Sequence, residues 1–210
     1  MIDFYTWSTP NGRKVSIMLE ERKLDYNLIP INIIKDEQFE EKFLNISPNN
    51  KIPAIYDHET NISMMESGSI LLYLSEKTGV FFPKNDSDRW KRDEWLMFQM
   101  ASLGPMLGQV HHFIKFNAGK SAYAEERYYN EAMRIYGVLD KRLGESQFVA
   151  GKDYGIVDIS IWPWISRYEW QNIDLNKFSN ILRWYKEIAS REAVIKGYDV
   201  PNTGAEIPIP

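Results

Sequence analysis

Over the first eighty residues the spacing of apolar positions switches repeatedly between the period of a strand and that of a helix. Ile2 to Trp7 is a short β-prone run. Beyond the turn formers Thr9-Pro10-Asn11-Gly12, the residues Val15, Met18 and Leu19 fall on one helical face. Tyr26 to Ile33 predicts a second strand, and Gln38 to Leu44 a short helix with Phe39 and Phe43 one turn apart. Pro53 to Tyr56 and Ile62 to Met64 predict two strands around the turn Asp57-His58-Glu59-Thr60-Asn61. Ser67 then opens a helix to about Lys77, with Ile70, Leu71 and Leu74 as its apolar stripe.

After the turn-rich stretch GVFFPKNDS only the helical period remains. Asp88 to about Gly104 predicts one helix, bent near Gly104-Pro105. Tyr123 to Leu143 predicts a long one, with Tyr128, Ala132, Ile135 and Leu139 on one face. Ile156 to about Gln171 is apolar throughout and expected to be central, and Phe178 to Ser190 is amphipathic. The expected division is an α/β domain over 1–79, a linker over 80–87, an all-α domain over 88–200 and an irregular, proline-bearing tail over 201–210.

Composition adds mostly exclusions. The chain of 210 residues carries a net charge of −4, which argues against a non-specific nucleic-acid binder. It has no apolar run long enough to span a bilayer, and its first residues, MIDFYTW, lack a signal-peptide layout, so the cytoplasm is the expected compartment and no membrane partner is expected. There are no cysteines. Disulfides, cysteine metal sites and a protein thiol nucleophile are therefore ruled out, and any sulfur chemistry must use a ligand's sulfur. Three scattered histidines, His58, His111 and His112, make a poor zinc site, so no metal is expected.

Several polar groups stand where the pattern predicts element ends, each open to two readings. In NKIPAI, Pro53 has no N–H and cannot pair inside a sheet. It either begins an edge strand or turns the chain so that the Ile52 backbone can pair with an extended peptide. In Glu66-Ser67-Gly68-Ser69, Ser67 is either a simple helix cap or, with the helix N-terminus, a carboxylate site beside Glu66 as an amine partner. The Thr9–Gly12 turn is either a cap or a source of donors to a thiolate. Gln38 and Lys51 are either solvated or hold a terminal carboxylate. His111 and His112 read as packing or capping rather than acid–base groups. Arg127 reads as a surface cation or a carboxylate ligand, and Trp162, Trp164 and Trp170 read as core.

The ordered set STPNGRK, FLNISPNNKIPAI, MMESGSILLYLSEKTG and GPMLGQVHHF resembles the soluble glutathione transferase family over essentially the whole chain. The similarity is greatest to the bacterial nu class of glutathione-dependent disulfide-bond oxidoreductases. The resemblance implies a thioredoxin-like α/β domain followed by an all-α domain, and a homodimer. It implies Thr9 and Asn11 at the glutathione sulfur, and Ile52 pairing its backbone with the cysteinyl unit ahead of a cis Pro53. Glu66 and Ser67 would hold the γ-glutamyl end, Gln38 and Lys51 the glycyl carboxylate, and Arg127 a second glutathione. One departure is Gly155, which stands where the family's N-cap before Asp158 is usually Ser or Thr. Tyr5 lies within the first strand rather than after it, and is assigned to packing.

The activity implied is reduction of a small disulfide by thiol–disulfide exchange, with glutathione or its oxidised form as partner. Two alternatives are a transferase that conjugates glutathione to an electrophile and a non-catalytic glutathione-binding regulatory protein.

Overall fold

The structure, a computed structural model, describes residues Met1–Pro210. In chain order it contains β1 (Ile2–Thr6), α1 (Pro10–Arg22), β2 (Tyr26–Pro30), α2 (Glu41–Leu44), β3 (Ala54–Asp57), β4 (Ile62–Met65), α3 (Ser67–Thr78), α4 (Asp86–Phe98), α5 (Gly104–Val110), α6 (Ala122–Glu145), α7 (Ile156–Ile165), α8 (Ser179–Ala189) and α9 (Glu192–Tyr198). They form two compact units. One comprises Met1–Val80 with Ser190–Ile207, and the other Phe81–Ala189 with Pro208–Pro210.

The first unit is thioredoxin-like, a four-stranded sheet in the order β2-β1-β3-β4. β1 runs parallel to β2, with Ile2 opposite Tyr26. β3 is antiparallel to both neighbours, so Ala54 stands opposite Tyr5 on one side and Met65 on the other. Both strand prolines obey the ladder's demand for donors. Pro30 sits on the edge strand, and Pro53 lies one residue before the interior strand β3, whose pairing starts at Ala54. The Ile52–Pro53 and Val200–Pro201 peptide bonds are cis.

Along β1 burial alternates, and Tyr5 on the second face packs against Phe43 with ring centroids 6.1 Å apart. Two expectations shift here. β2 ends at Pro30 rather than Ile33, because the Asn32 side chain accepts from the Ile34 and Lys35 N–H groups and forms a turn. The helix expected from Gln38 is a 3-10 turn (Glu37–Phe39) followed by α2. Glu40 between them is extended, so Phe43 is buried while Phe39 is exposed.

α1 departs furthest from its sequence pattern. A single apolar face was expected, yet every residue from Gly12 to Leu19 is buried. The reason comes from the far end of the chain: α9 packs on α1, as α3 does. Arg13 donates through Nε to the Tyr198 carbonyl at 2.9 Å and stacks on the Tyr198 ring, and Ser16 donates to the Gly197 carbonyl at 2.6 Å. At the rim, Arg191 makes a two-pronged ion pair with Glu21. Residues 190–207, expected within the helical domain and tail, thus belong with the α/β unit.

The second unit is all-helical. α4 begins at Asp86, inside the expected linker, because Asn85 caps it by accepting from the Asp88 N–H at 2.9 Å. The chain does not break at Pro105. π-helical turns at Gln99–Leu103 and His111–Phe116 flank α5, and the Gly104 N–H just before the proline pairs with the Gln99 carbonyl across the wider turn, so the helix continues past a residue that has no N–H to donate. All ten residues of α7 are buried, and the helix stops at Ile165, with a separate 3-10 turn over Tyr168–Gln171.

Asp158 serves where Gly155 offers no side-chain cap. Its carboxylate accepts from the N–H groups of Val149 and Gly155 and from the Trp184 indole at 2.8–3.1 Å. Burial nevertheless pushes it up to about 6 against the pull of those donors. His111 is also buried, stacked on Trp164 and accepting from Gln171 Nε2. Burial, and then the Arg167 charge, lower it to about 4, so the ring is neutral at pH 7 and packs rather than titrates. No helix is long and apolar enough to cross a membrane, and no cluster of acidic or histidine side chains is arranged to hold a metal ion.

A Cβ at Gly197 would collide with the backbone of Ile17. The Gly197→Ala protein is therefore expected to lose roughly 1–3 kcal/mol of stability in a urea melt, through overpacking at the α1–α9 contact.

Candidate active site

The starts of α1, β3 and α3 converge on one cavity of about 280 Å³ in the α/β unit. It is lined by Asn11 from the first turn of α1, by Ser47, Asn49, Lys51, Ile52 and Pro53 ahead of β3, by Met65 at the end of β4, and by Glu66 and Ser67 at the start of α3.

Asn11 is held in place by the turn before it. Thr9 is extended, its hydroxyl accepts from the Gly12 N–H at 3.1 Å, and Pro10 opens the helix, where a missing N–H is no loss. Gly12 is required because any Cβ there would run into the Trp7 carbonyl and the Thr6 hydroxyl. The approach to β3 is fixed by buried Ser47, which donates to the Lys51 carbonyl at 2.8 Å. That bond turns Lys51 and Ile52 along the cavity wall.

Glu66 is the strained residue of the site. Its φ of 72° and ψ of 110° fall outside the regions that side chains favour. Its carbonyl starts α3 by accepting from the Ile70 N–H at 2.9 Å, while its carboxylate is solvent-exposed. Ser67, at the first position of α3, is buried and accepts from Lys14 Nζ at 3.2 Å. Lys14 comes from the second turn of α1 and is 1% exposed. Burial lowers its ammonium to about 7, and the neighbouring Glu66 charge only partly offsets that.

The cavity therefore presents a carboxylate, an exposed ammonium, a helix N-terminus, an amide side chain and the backbone that leads into β3. Such a set suits an extended, zwitterionic peptide with a further carboxylate. Of the residues singled out in the sequence, Asn11, Lys51, Ile52, Pro53, Glu66 and Ser67 meet here. Thr9 does not line the cavity but caps the helix that carries Asn11. Gln38 does not line it either; its Nε2 donates to Asp36 at 3.3 Å. Arg127 is exposed on α6 and lines a cavity of about 650 Å³ in the helical unit with Met106, Tyr123, Glu131 and Arg134. Sequence reasoning missed Ser47, Asn49 and Met65, which carry no distinguishing signal. It also missed Lys14, which reads as an ordinary helix lysine until α3 is seen to cover it.

Comparison with known proteins identifies the family of the chain. Family models for the glutathione S-transferase N-terminal and C-terminal domains match residues 4–80 and 103–192. The chain is 47% identical to the disulfide-bond oxidoreductase YfcG of Escherichia coli, over 92% of each chain. It is 38% identical to the disulfide-bond oxidoreductase YghU of the same organism, over 98% of this chain and 77% of that one. Among solved structures, a glutathione transferase from Pseudomonas putida with one glutathione disulfide bound per subunit superimposes with a TM-score of 0.90 at 38% identity, covering 96% of this chain and 92% of that one. One from Burkholderia graminis, with two glutathione molecules per subunit, gives 0.89 at 37% identity, covering 97% and 89%.

The lowered Lys14 ammonium has a consequence for stability. Between about pH 7 and its ordinary value of 10.5, the unfolded chain binds a proton at Lys14 that the folded protein does not. Stability from this group therefore rises with pH across that window and is lowest below it. Glu66 is the charged group that faces Lys14 from α3. Urea melts of wild type and Lys14→Met from pH 6 to 10 should show the difference between the two proteins shifting toward wild type as pH rises.

Proposed function

Because the chain belongs to the glutathione S-transferase family, we propose that this cavity seats glutathione and that the protein is a glutathione-dependent disulfide-bond oxidoreductase of the nu-class type. The observation that carries the reading is the convergence of Asn11, Ile52 and the Glu66–Ser67 helix start on one cavity in a chain that has no cysteine. In this reading Ile52 pairs its backbone with the cysteinyl unit. Ser67 and the α3 N-terminus take the γ-glutamyl carboxylate and Glu66 its amine, and Lys51 takes the glycyl carboxylate. Gln38 joins Lys51 by turning from Asp36 toward the ligand.

The glutathione sulfur then sits at the start of α1. Donors from Asn11 and the Thr9 hydroxyl, together with the positive end of the helix, favour the thiolate over the thiol. The thiolate attacks one sulfur of the substrate disulfide, forming a glutathione mixed disulfide and expelling the other half as a thiolate. A second glutathione thiolate attacks the mixed disulfide at the glutathione sulfur. This releases oxidised glutathione and the second substrate thiol, so two glutathiones are oxidised for each disulfide reduced. The protein contributes position and charge stabilisation and forms no covalent bond to sulfur. Arg127 is assigned to the carboxylates of the second glutathione.

Two further features fit the reading. Trp90 and Met97 are 63% and 52% exposed, seven residues apart on α4, and form an apolar stripe suited to self-association as a homodimer. The reaction consumes reduced glutathione, which suits the cytoplasm. The relatives' names favour disulfide exchange over conjugation to an electrophile, which the same thiolate could perform, and over a purely regulatory binding role.

The test is glutathione-dependent reduction of 2-hydroxyethyl disulfide, with conjugation of chlorodinitrobenzene run alongside. Wild type is expected to turn over the disulfide faster, and Asn11→Ala and Thr9→Ala together to lower kcat/KM by roughly 10²-fold, the scale of losing an oxyanion-stabilising donor. Conjugation without disulfide turnover would make the protein an ordinary transferase. A folded protein with neither activity would support the binding-protein reading.

A further inference from the structure

Met65 is placed where a change at its sulfur reaches both the β3 side and the α3 side of the cavity. It ends β4, stands opposite Ala54 at the start of β3, lines the cavity and directly precedes the strained Glu66. Its sulfur lies 3.9 Å from the hydroxyl of fully buried Ser47, which donates to the Lys51 carbonyl at 2.8 Å. A hydroxyl has one hydrogen to give, and a thioether is too weak an acceptor to win it from a carbonyl. The course of Lys51 and Ile52 therefore rests on Met65 remaining a thioether. The loop between them is tight. The Asn50 N–H donates to the Ser47 carbonyl at 2.9 Å, and Asn50 is left-handed with a φ of 49°. Met65 is half-buried, so a small solute in the cavity can meet its sulfur, whereas Met18 on α1 is sealed in the core.

Resting on the glutathione reading above, we propose that Met65 is a modification site: peroxides oxidise its thioether to the sulfoxide, and the modified protein loses its hold on glutathione. One peroxide oxygen passes to sulfur as the O–O bond breaks and an S–O bond forms. With hydrogen peroxide the other oxygen leaves as water and carries both hydrogens, so sulfur is oxidised and peroxide reduced by two electrons. The sulfoxide is polar where the thioether was apolar, and its oxygen is a strong acceptor. It competes with the Lys51 carbonyl for the Ser47 hydroxyl, which releases the Ile52 backbone, and it adds bulk to a cavity of about 280 Å³. Under oxidant load the protein then ceases to draw on glutathione, and enzymatic reduction of the sulfoxide restores it.

The experiment exposes the protein to graded hydrogen peroxide and removes the oxidant with catalase. Sulfoxides are then mapped by peptide mass spectrometry, and S-hexylglutathione is titrated calorimetrically. Met97, 52% exposed on α4, is the internal control. Wild type carrying Met65 sulfoxide should bind roughly 10-fold more weakly, the scale of one lost hydrogen bond. Met65→Leu should show one affinity before and after peroxide, even with Met97 oxidised. Met65 sulfoxide with unchanged affinity, a loss that persists in Met65→Leu, or a Met65 that stays reduced once Met97 is oxidised would each overturn the proposal. Should Met65→Leu fail to fold, Met97→Leu decides: a loss that still tracks Met65 sulfoxide supports the proposal, and a loss that vanishes with Met97 overturns it. Untreated wild type that does not bind S-hexylglutathione would overturn the glutathione reading itself, a result distinct from all of these.

Discussion

The enclosure of α1 is the constraint on which the α/β unit depends. A helix that buries Gly12 through Leu19 has no solvent face to relax into, and α3 and α9 both press on it. Its two cations show the consequence. Arg13 is held by the carbonyl and ring of Tyr198, so the last helix is tied to the first. Lys14 reaches the start of α3, so the helix that opens the site is tied to the helix that closes it. With Gly12 pressed against the end of β1, the position of Asn11 leaves almost no freedom. A site whose reacting sulfur arrives with the ligand needs such rigidity, because the protein can act only by where it places the sulfur and what charge it offers.

That division of labour explains a chain without cysteine. In thiol–disulfide exchange the nucleophile, the leaving group and the resolving thiol are all sulfur, and all can be supplied by glutathione and the substrate. What remains for the protein is recognition of a peptide, which the proposed reading assigns to a backbone stretch before β3, a helix start and one residue in a strained conformation. Strain at Glu66 is tolerated because the rest of α3 is anchored by Ile70, Leu71 and Leu74, all fully buried.

Most of the fold was legible because period and punctuation agree. The strand–turn–helix opening, the two strands around residues 57–61 and the apolar α7 all follow from local pattern. The failures were contacts made at long range. One-sided amphipathy was read for α1 because nothing local announces that residues 190–207 return to cover it. Arg13 and Ser16 look like solvent positions until Tyr198 and Gly197 are opposite them. The same holds for the site. Turn chemistry left Asn11, Ile52, Glu66 and Ser67 open to two readings and the family resemblance gave them their roles, whereas Lys14 acquires meaning only from the 3.2 Å contact to a serine fifty-three residues later. Gln38 and Thr9 were offered by the same two steps, and the cavity as it stands is lined by neither.

The central claim is that the cavity before β3 and at the start of α3 is the glutathione site. A crystal structure of the protein grown with oxidised glutathione tests it most directly. The account predicts one glutathionyl unit extended along Ile52, its γ-glutamyl carboxylate on the Ser67 hydroxyl and the α3 N-terminus, and its sulfur beside Asn11. A ligand bound elsewhere, or in this cavity with its sulfur turned away from Asn11, would contradict it.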